Sequence, residues 1–303
     1  MISPAHDLRR RQDTVVAWFF SLPALIGLTC FVLIPFILAI ALSFTNLRLG
    51  SPLPLEFTGM SQYRRIFTDT AFLNALKNNT VFALIVVPLQ TSLALLLALC
   101  INQPLRGMVF FRTLFFMPVV FPLSLVAVIW ILIFAPGPQG MLNSLLEWLT
   151  FGSWQPHDFL HDHDLALPAI TVTSIWQGVG FQMVILLAAL QSIPAELYEA
   201  AKVDGAGRRQ LFFHITLPQL RNALIFVILV TTILAFRLFD QVQIMTQGGP
   251  NHATTTVMFE AVNTAFGSQQ VARAASMTVV FFVIVLMLTL LQRYMVRQEG
   301  PVS

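Results

Sequence analysis

The chain has 303 residues, of which 56% are hydrophobic and 10% charged, with a mean hydropathy of +0.77. Soluble domains carry about 25% charged residues and disordered chains combine low hydrophobicity with high charge, so both classes are excluded. The net charge of +3, from 17 Lys+Arg against 14 Asp+Glu, is too small to suggest a nucleic-acid partner.

A spanning helix needs about 20 largely apolar residues. Charge-free runs place six spans near 17–44, 80–101, 113–134, 166–190, 220–239 and 274–294. The expected fold is therefore an all-α membrane protein. The first run follows Arg9-Arg10-Arg11, but it is far longer than the 7–15-residue core of a signal peptide and reads as an uncleaved span. Cys30 and Cys100 lie inside apolar runs and read as small buried hydrophobes rather than a disulfide. Prolines 23, 35, 88, 118, 122 and 168 fall in or beside spans. They fit ordinary kinked packing or helices that line a pathway.

Orientation follows the basic residues. With the N-terminus in the cytoplasm, Arg9, Arg10, Arg11, Arg106, Arg112, Lys202, Arg208, Arg209, Arg221, Arg293 and Arg297 lie inside, 11 against 6 outside. This predicts a cytoplasmic tail at 1–14, a membrane domain at 15–296 and a second cytoplasmic tail at 297–303. The outside segment 135–165 has no Lys or Arg, and it carries His157, Asp158, His161, Asp162, His163 and Asp164. These are metal-ligand types, but no second cluster completes a site, so a solvated loop is expected and no metal is assigned. The stretch 241–259 lacks charge, yet Gly248-Gly249-Pro250-Asn251 and Thr254-Thr255-Thr256 mark it as a polar loop.

Polar groups within spans are costly and often mark a pathway. Asn78, Gln90, Trp176, Gln177, Gln182 and Asp240 are the candidates for one, although helix–helix hydrogen bonding uses the same residue types. Thr173, Trp176 and Gly180 share one face of the fourth span, with Gln177 beside it. Arg237 and Asp240 have the spacing of a local ion pair or of a gate.

The cytoplasmic segment 191–218 is the most informative. Pro194 suits a first helical turn, Glu196 and Glu199 suit its positive dipole end, and Gly205 suits a left-handed stop. A second short helix is expected from Gly207 to His214, with Pro218 restarting the chain into the fifth span. Such a pair of helices could rest on lipid or dock a partner.

Glu199-Ala200-Ala201, Asp204-Gly205-Ala206, Phe212, Ile215 and Leu217-Pro218 resemble the EAA loop of bacterial ABC importer permeases. Ser43-Phe44-Thr45, Asp69, Asn78, Pro118, Pro122, Asn143, Trp176, Gly180 and Gly248-Gly249-Pro250 extend the resemblance to the carbohydrate-uptake branch. Two departures are Asn79, where Thr is common, and Arg273, in a run of small residues.

The resemblance implies a type I, binding-protein-dependent permease of the bacterial cytoplasmic membrane that imports a sugar or sugar derivative by alternating access. It implies a second homologous permease, two ATP-binding subunits and a periplasmic or lipid-anchored binding protein as partners. Glu199, Ala200, Ala201, Asp204, Gly205, Leu217 and Pro218 would couple this chain to the ATPase. The chain itself is expected to hold no cofactor, with ATP and Mg on the partner. Neither Lys77 nor Lys202 sits in a P-loop, and no HExxH, CxxC or GxSxG occurs, so no enzyme activity is expected. A self-sufficient secondary transporter or channel is the competing reading. It is disfavoured because the six expected spans lack Asp and Glu.

Overall fold

The computed structural model describes residues 4–103 and 107–297, with side chains described over 16–103 and 107–294. Arg106 and the side chains of Arg9, Arg10, Arg11 and Arg297 lie outside those residues. The described chain is helical, with a single two-residue β-bridge between Thr45 and Phe57.

Five stretches are long and apolar enough to cross a membrane: Val16–Ser43, Thr70–Ile101, Ala166–Gln191, Arg221–Met245 and Val271–Tyr294. A sixth span exists if the helix pair Met108–Val120 and Leu123–Ile133 crosses as one, and this pair is bent by 100°. The span expected over 113–134 is thus a broken one, with the proline-associated bend as sharp as a corner. Pro122 cannot donate to the helix ladder, and it forces Phe121 into extended backbone at φ −73°, ψ 140°.

The first span comprises α1 (Pro4–Leu28) and α2 (Ile34–Ser43), joined by a wide π turn over Thr29–Leu33. The wide turn precedes Pro35, whose missing N–H an α-helix would otherwise require. α3 (Ser61–Thr68) leads to α4 (Thr70–Ile101), the second span, which starts ten residues before the expected 80 because the Asp69 carboxylate accepts from Ala71 N at 3.1 Å and caps it. The broken third span comprises α5 (Met108–Val120) and α6 (Leu123–Ile133). α7 (Met141–Leu149) folds within the following connection, and α8 (Ala166–Gln191) is the fourth span.

The expected second short helix does not stand alone. α10 (Arg208–Leu211) runs through a π turn at Phe212–Thr216 and α11 (Leu217–Gln219) into α12 (Arg221–Phe236). Pro218 falls in the first turn after the π turn, where its missing N–H breaks no bond.

The fifth span also continues past 239. After a break at Arg237–Phe239, α13 (Asp240–Met245) extends it. Asp240 therefore lies inside a span, and the expectation that all six spans lack acids is corrected. The remaining loop is not a solvated one: Thr254, Thr255 and Thr256 are fully buried. Asn78 Nδ2 donates to the carbonyls of His252 (2.9 Å) and Thr255 (3.0 Å). Val257 N donates to Asn79 Oδ1 (2.8 Å), and Asn79 Nδ2 donates to the Phe236 carbonyl (3.4 Å). Asn79, a departure from the family pattern, thus ties α4 both to the end of α12 and to the residue that closes this loop.

α14 (Val257–Val262) and a π turn at Asn263–Gly267 lead to α15 (Val271–Arg297), the sixth span. Arg273, the other departure, ion-pairs with Asp69. Cys30 and Cys100 are free and face outward from the bundle, contrary to the expected burial. Such outward apolar surface is what lipid or another subunit covers.

Candidate functional site

Two separate hydrophobic cores hold the bundle. One gathers Phe82, Val86, Ile170, Ala235 and Phe236 with residues towards the α3 end. The other gathers Ala94, Ala98, Met183, Leu186 and Val227 towards the end where α4 and α8 finish, near Ile101 and Leu190. Along each helix the boundary is polar: Gln90 lies between Val86 and Ala94 on α4, and Thr231 lies between Val227 and Ala235 on α12. On α8, Gln177 and Gln182 occupy the same zone. At 1.5 Å rise per residue they lie about 16 and 24 Å along a helix about 39 Å long, so the belt sits near mid-span.

A cavity of about 430 Å³ opens at this belt. Its polar lining comes from Gln90, Ser174, Gln177, Gln182, Thr231 and Gln241, with Arg237 and Asp240 beside them. Phe121, Phe181 and Phe239 supply aromatic faces. Both broken spans meet here, since Phe121 and Leu123 flank the break in the third and Arg237, Leu238 and Phe239 form the break in the fifth. Irregular backbone within a membrane is tolerated where it is buried in protein or lines a polar cavity. Discontinuous helices of this kind form substrate sites in transporters.

The hydrogen bonds define the belt. Gln182 Nε2 donates to Thr231 Oγ1 at 2.6 Å, while Gln182 Oε1 is buried without a partner. Gln177 Nε2 donates to the Phe121 carbonyl (3.4 Å), and Gln241 Nε2 donates to Gln177 Oε1 (3.3 Å). Ser174 Oγ donates to Gln241 Oε1. Among the described residues Arg237 and Asp240 have no ion-pair partner, so the expected local pair is not formed and both charges are open to the cavity.

Of the six pathway candidates, Gln90, Gln177, Gln182 and Asp240 come together at the cavity. Asn78 instead clamps the loop at 252–255. Trp176 packs edge-on against Trp130, with ring centroids 5.7 Å apart, and does not line the cavity. The cavity face of α8 is therefore 174, 177, 178, 181 and 182, rather than the expected 173, 176 and 180. The reason is steric: a Cβ on Gly180 would overlap the Phe115 carbonyl, so α8 packs backbone to backbone on α5 at this residue. Gln241 was not singled out because it lies past the expected end of the span. The apolar Val242, Ile244 and Met245 that follow it are the signal that the span continues.

The second candidate region is α9 (Ala195–Val203), none of whose residues is buried. It ends in a Schellman motif: Gly205 N donates to the Lys202 carbonyl (3.0 Å) and Ala206 N to the Ala201 carbonyl (2.9 Å). Gly205 takes the left-handed φ of +82° that the motif requires. Glu199, Ala200, Asp204 and Gly205 are exposed, while Ala201 is half-buried. Leu217 is half-buried and Pro218 exposed at the junction with the fifth span. Leu197 and Ala200 are exposed, so α9 has no continuous buried apolar side. Tyr198 provides the anchor instead, its hydroxyl lying 3.0 Å from Thr216 Oγ1 at the foot of that span.

In the 157–164 segment, His161 pairs with Asp158 and His163 with Asp164; Asp158 is half-buried and the other three are exposed. Among the described residues no three His, Cys, Asp or Glu converge as a metal site.

Residues 90–299 match the family of binding-protein-dependent transport system inner membrane components. The chain belongs to this family. It is 34% identical over 283 residues to the probable ABC transporter permease protein YurN of Bacillus subtilis, covering 93% of this chain and 96% of the relative. It is 36% identical to the diacetylchitobiose uptake system permease protein NgcF of Streptomyces coelicolor, covering 84% and 75%. It is 32% identical to the lactose transport system permease protein LacF of Rhizobium radiobacter, covering 99% and 100%. Its fold matches a chain of a bacterial ABC transporter that imports the acidic polysaccharide alginate, with a TM-score of 0.83 at 21% identity over 98% of this chain and 100% of that one.

The chain is thus a multi-pass permease subunit of an ABC importer, not an enzyme, and it works with a substrate-binding protein. Family membership, not the charge pattern of the spans, is what removes the self-sufficient carrier.

Proposed function

We propose that this permease carries a sugar or sugar derivative across the bacterial cytoplasmic membrane through the mid-span cavity, by alternating access. The single observation that carries this reading is the amide-rich cavity where two broken spans meet. Its lining has one Arg and one Asp and so no net charge, and its carboxamides and hydroxyls can each pair with a sugar hydroxyl. The three phenyl rings offer faces to the C–H side of a sugar ring. The names of NgcF and LacF, uptake proteins for diacetylchitobiose and lactose, support the same substrate class.

In this reading a second permease completes the translocation unit, and two separate subunits bind ATP and Mg. The exposed α9 docks on one of them through Glu199, Ala200, Ala201, Asp204 and Gly205. Leu217 and Pro218 carry its displacement into the fifth span. A rigid connection is in place: α10 to α12 is nearly one continuous helix, so movement at α9 and its Tyr198 anchor reaches Thr231 and Arg237 at the cavity.

The test compares two variants of the assembled transporter. Gln182→Leu removes the buried amide and should lower sugar uptake at least about tenfold, with the ATPase still bound. Gly205→Val places a β-branched residue at a left-handed φ; it should abolish coupled uptake and weaken ATPase association, with the permease still in the membrane. Wild-type uptake in Gln182→Leu would refute the cavity as the pathway.

A further inference from the structure

α7 (Met141–Leu149) carries an apolar face that nothing among the described residues covers. Met141, Leu145, Trp148 and Leu149 are all exposed, Trp148 to 74%. At 3.6 residues per turn they fall within an arc of about 100°. Asn143, buried, and Glu147, exposed, both lie on the far side of the helix from the centre of that arc. The helix ends in a Schellman stop, with Phe151 N donating to the Trp148 carbonyl (3.3 Å) and Gly152 N to the Glu147 carbonyl (2.8 Å). This puts Phe151 at the left-handed position, φ +53°, where glycine is usual because an L side chain is disfavoured. Its ring is nevertheless 98% exposed.

The place of α7 is fixed. It touches α6, and the turn between them is tight, since a Cβ on Gly140 would overlap the Ala135 carbonyl. Asn143 Nδ2 donates to that same carbonyl (3.4 Å) and to the His157 carbonyl (2.9 Å). Ala135 is the second residue past the end of α6 at Ile133, so α7 starts level with the end of a membrane helix and cannot stand off from it. α8 begins after this connection and ends beside α9. α7 therefore sits at the end of the bundle opposite α9, the outer end by the count of basic residues.

We propose that α7 is an interfacial helix that rests in the outer leaflet, with Met141, Leu145, Trp148, Leu149 and Phe151 inserted below the lipid headgroups. A helix with one apolar face, held at the membrane boundary, lies in the plane of the interface. Tryptophan suits that depth, because its ring is apolar and its N–H polar. The exposed apolar residues of α6, Leu125, Val128 and Leu132, lead up to the same boundary, so the lipid surface continues from one helix to the next. A soluble binding protein would cover the face only while docked and would leave it in water between encounters, which large apolar patches avoid. The segment 135–165 has no Lys or Arg, so the attraction is to the acyl chains and not to anionic headgroups. The helix then fixes the depth of the Asn143–His157 connection and of the end of the broken third span.

The test uses the assembled transporter in vesicles of phosphatidylethanolamine and phosphatidylglycerol whose acyl chains carry bromine near the headgroup. Bromine quenches tryptophan emission on contact. The Trp148 component is the parent emission minus that of Trp148→Phe, because Trp18, Trp130, Trp154 and Trp176 are common to both. That component should be quenched at least about twofold by the brominated lipid, should be spared by aqueous acrylamide, and should not change when phosphatidylglycerol is omitted. An independent reading comes from Phe151→Cys carrying a nitroxide, with the labelled parent, which has Cys30 and Cys100, as background. This label should relax faster with oxygen than with a water-soluble nickel chelate. Acrylamide quenching without lipid quenching would place the face in water and overturn the proposal. So would shielding of Trp148 from both quenchers, which would assign the face to the second permease, and so would acrylamide access that is lost only when the binding protein is added. Dependence on phosphatidylglycerol would overturn the apolar mode of attachment.

Discussion

Gly178 and Gly180 are two residues apart on α8, and the same Gly→Ala change should have opposite consequences at the two positions. A Cβ on Gly180 would overlap the Phe115 carbonyl oxygen and lie 2.8 Å from its carbon and 3.0 Å from Phe116 Cα, all of them backbone. To restore ordinary contact, that carbon must retreat to at least 3.4 Å, so α5 must move as a body. Overpacking of this kind costs about 1–3 kcal/mol, which lowers the melting temperature by several degrees in a protein of this size.

A Cβ on Gly178 would meet Gln90 Nε2 and lie 3.1 Å from its Cδ, and this is the end of a flexible side chain. Gln90 rotates into the cavity at a rotamer cost of about 1 kcal/mol or less. The intrinsic helix gain of Ala over Gly, about 1 kcal/mol, is common to both variants and cancels in the comparison. Thermal unfolding of the purified transporter in lipid nanodiscs, read alongside uptake, separates the two. Gly180→Ala should be the less stable, while Gly178→Ala should keep its stability and lose uptake. Equal melting temperatures, or a lower one for Gly178→Ala, would refute the packing argument.

Two further outcomes concern the connections outside the spans. Asn143, fully buried, donates to the carbonyls of His157 (2.9 Å) and Ala135 (3.4 Å) and accepts from Trp154 Nε1 and His157 N, both at 3.1 Å. Asn143→Ala should loosen the 135–165 connection by about 2–4 kcal/mol; limited proteolysis within 150–165 should accelerate, and an unchanged cleavage rate would show that Asn143 does not organise this loop. Arg273→Ala strands the Asp69 carboxylate, 14% exposed, and should cost about 2–3 kcal/mol. Asp69→Ser in the same chain should recover part of the loss, because Ser still caps α4; no loss in the single variant would mean that the pair contributes nothing.

The membrane class of this protein, the approximate positions of its spans and the exposed helix ending at Gly205 were legible in the sequence alone. All three are properties of short windows. Twenty apolar residues demand lipid wherever they pack, and the stop at Gly205 follows from local backbone chemistry. Which polar residues form the cavity depends instead on how the packed helices rotate against one another. Asn78 and Gln90 are similar in type and both lie on α4, yet one clamps a buried loop while the other lines the cavity. The helical rotation of α8 shows the same limit. Gly180 must pack against the backbone of α5, which turns Ser174, Gln177 and Gln182 inward and leaves Trp176 against Trp130. Charge followed the same rule. Asp240 seemed to lie beyond the membrane until the fifth span, broken at Arg237–Phe239, resumed as α13 and carried it inside.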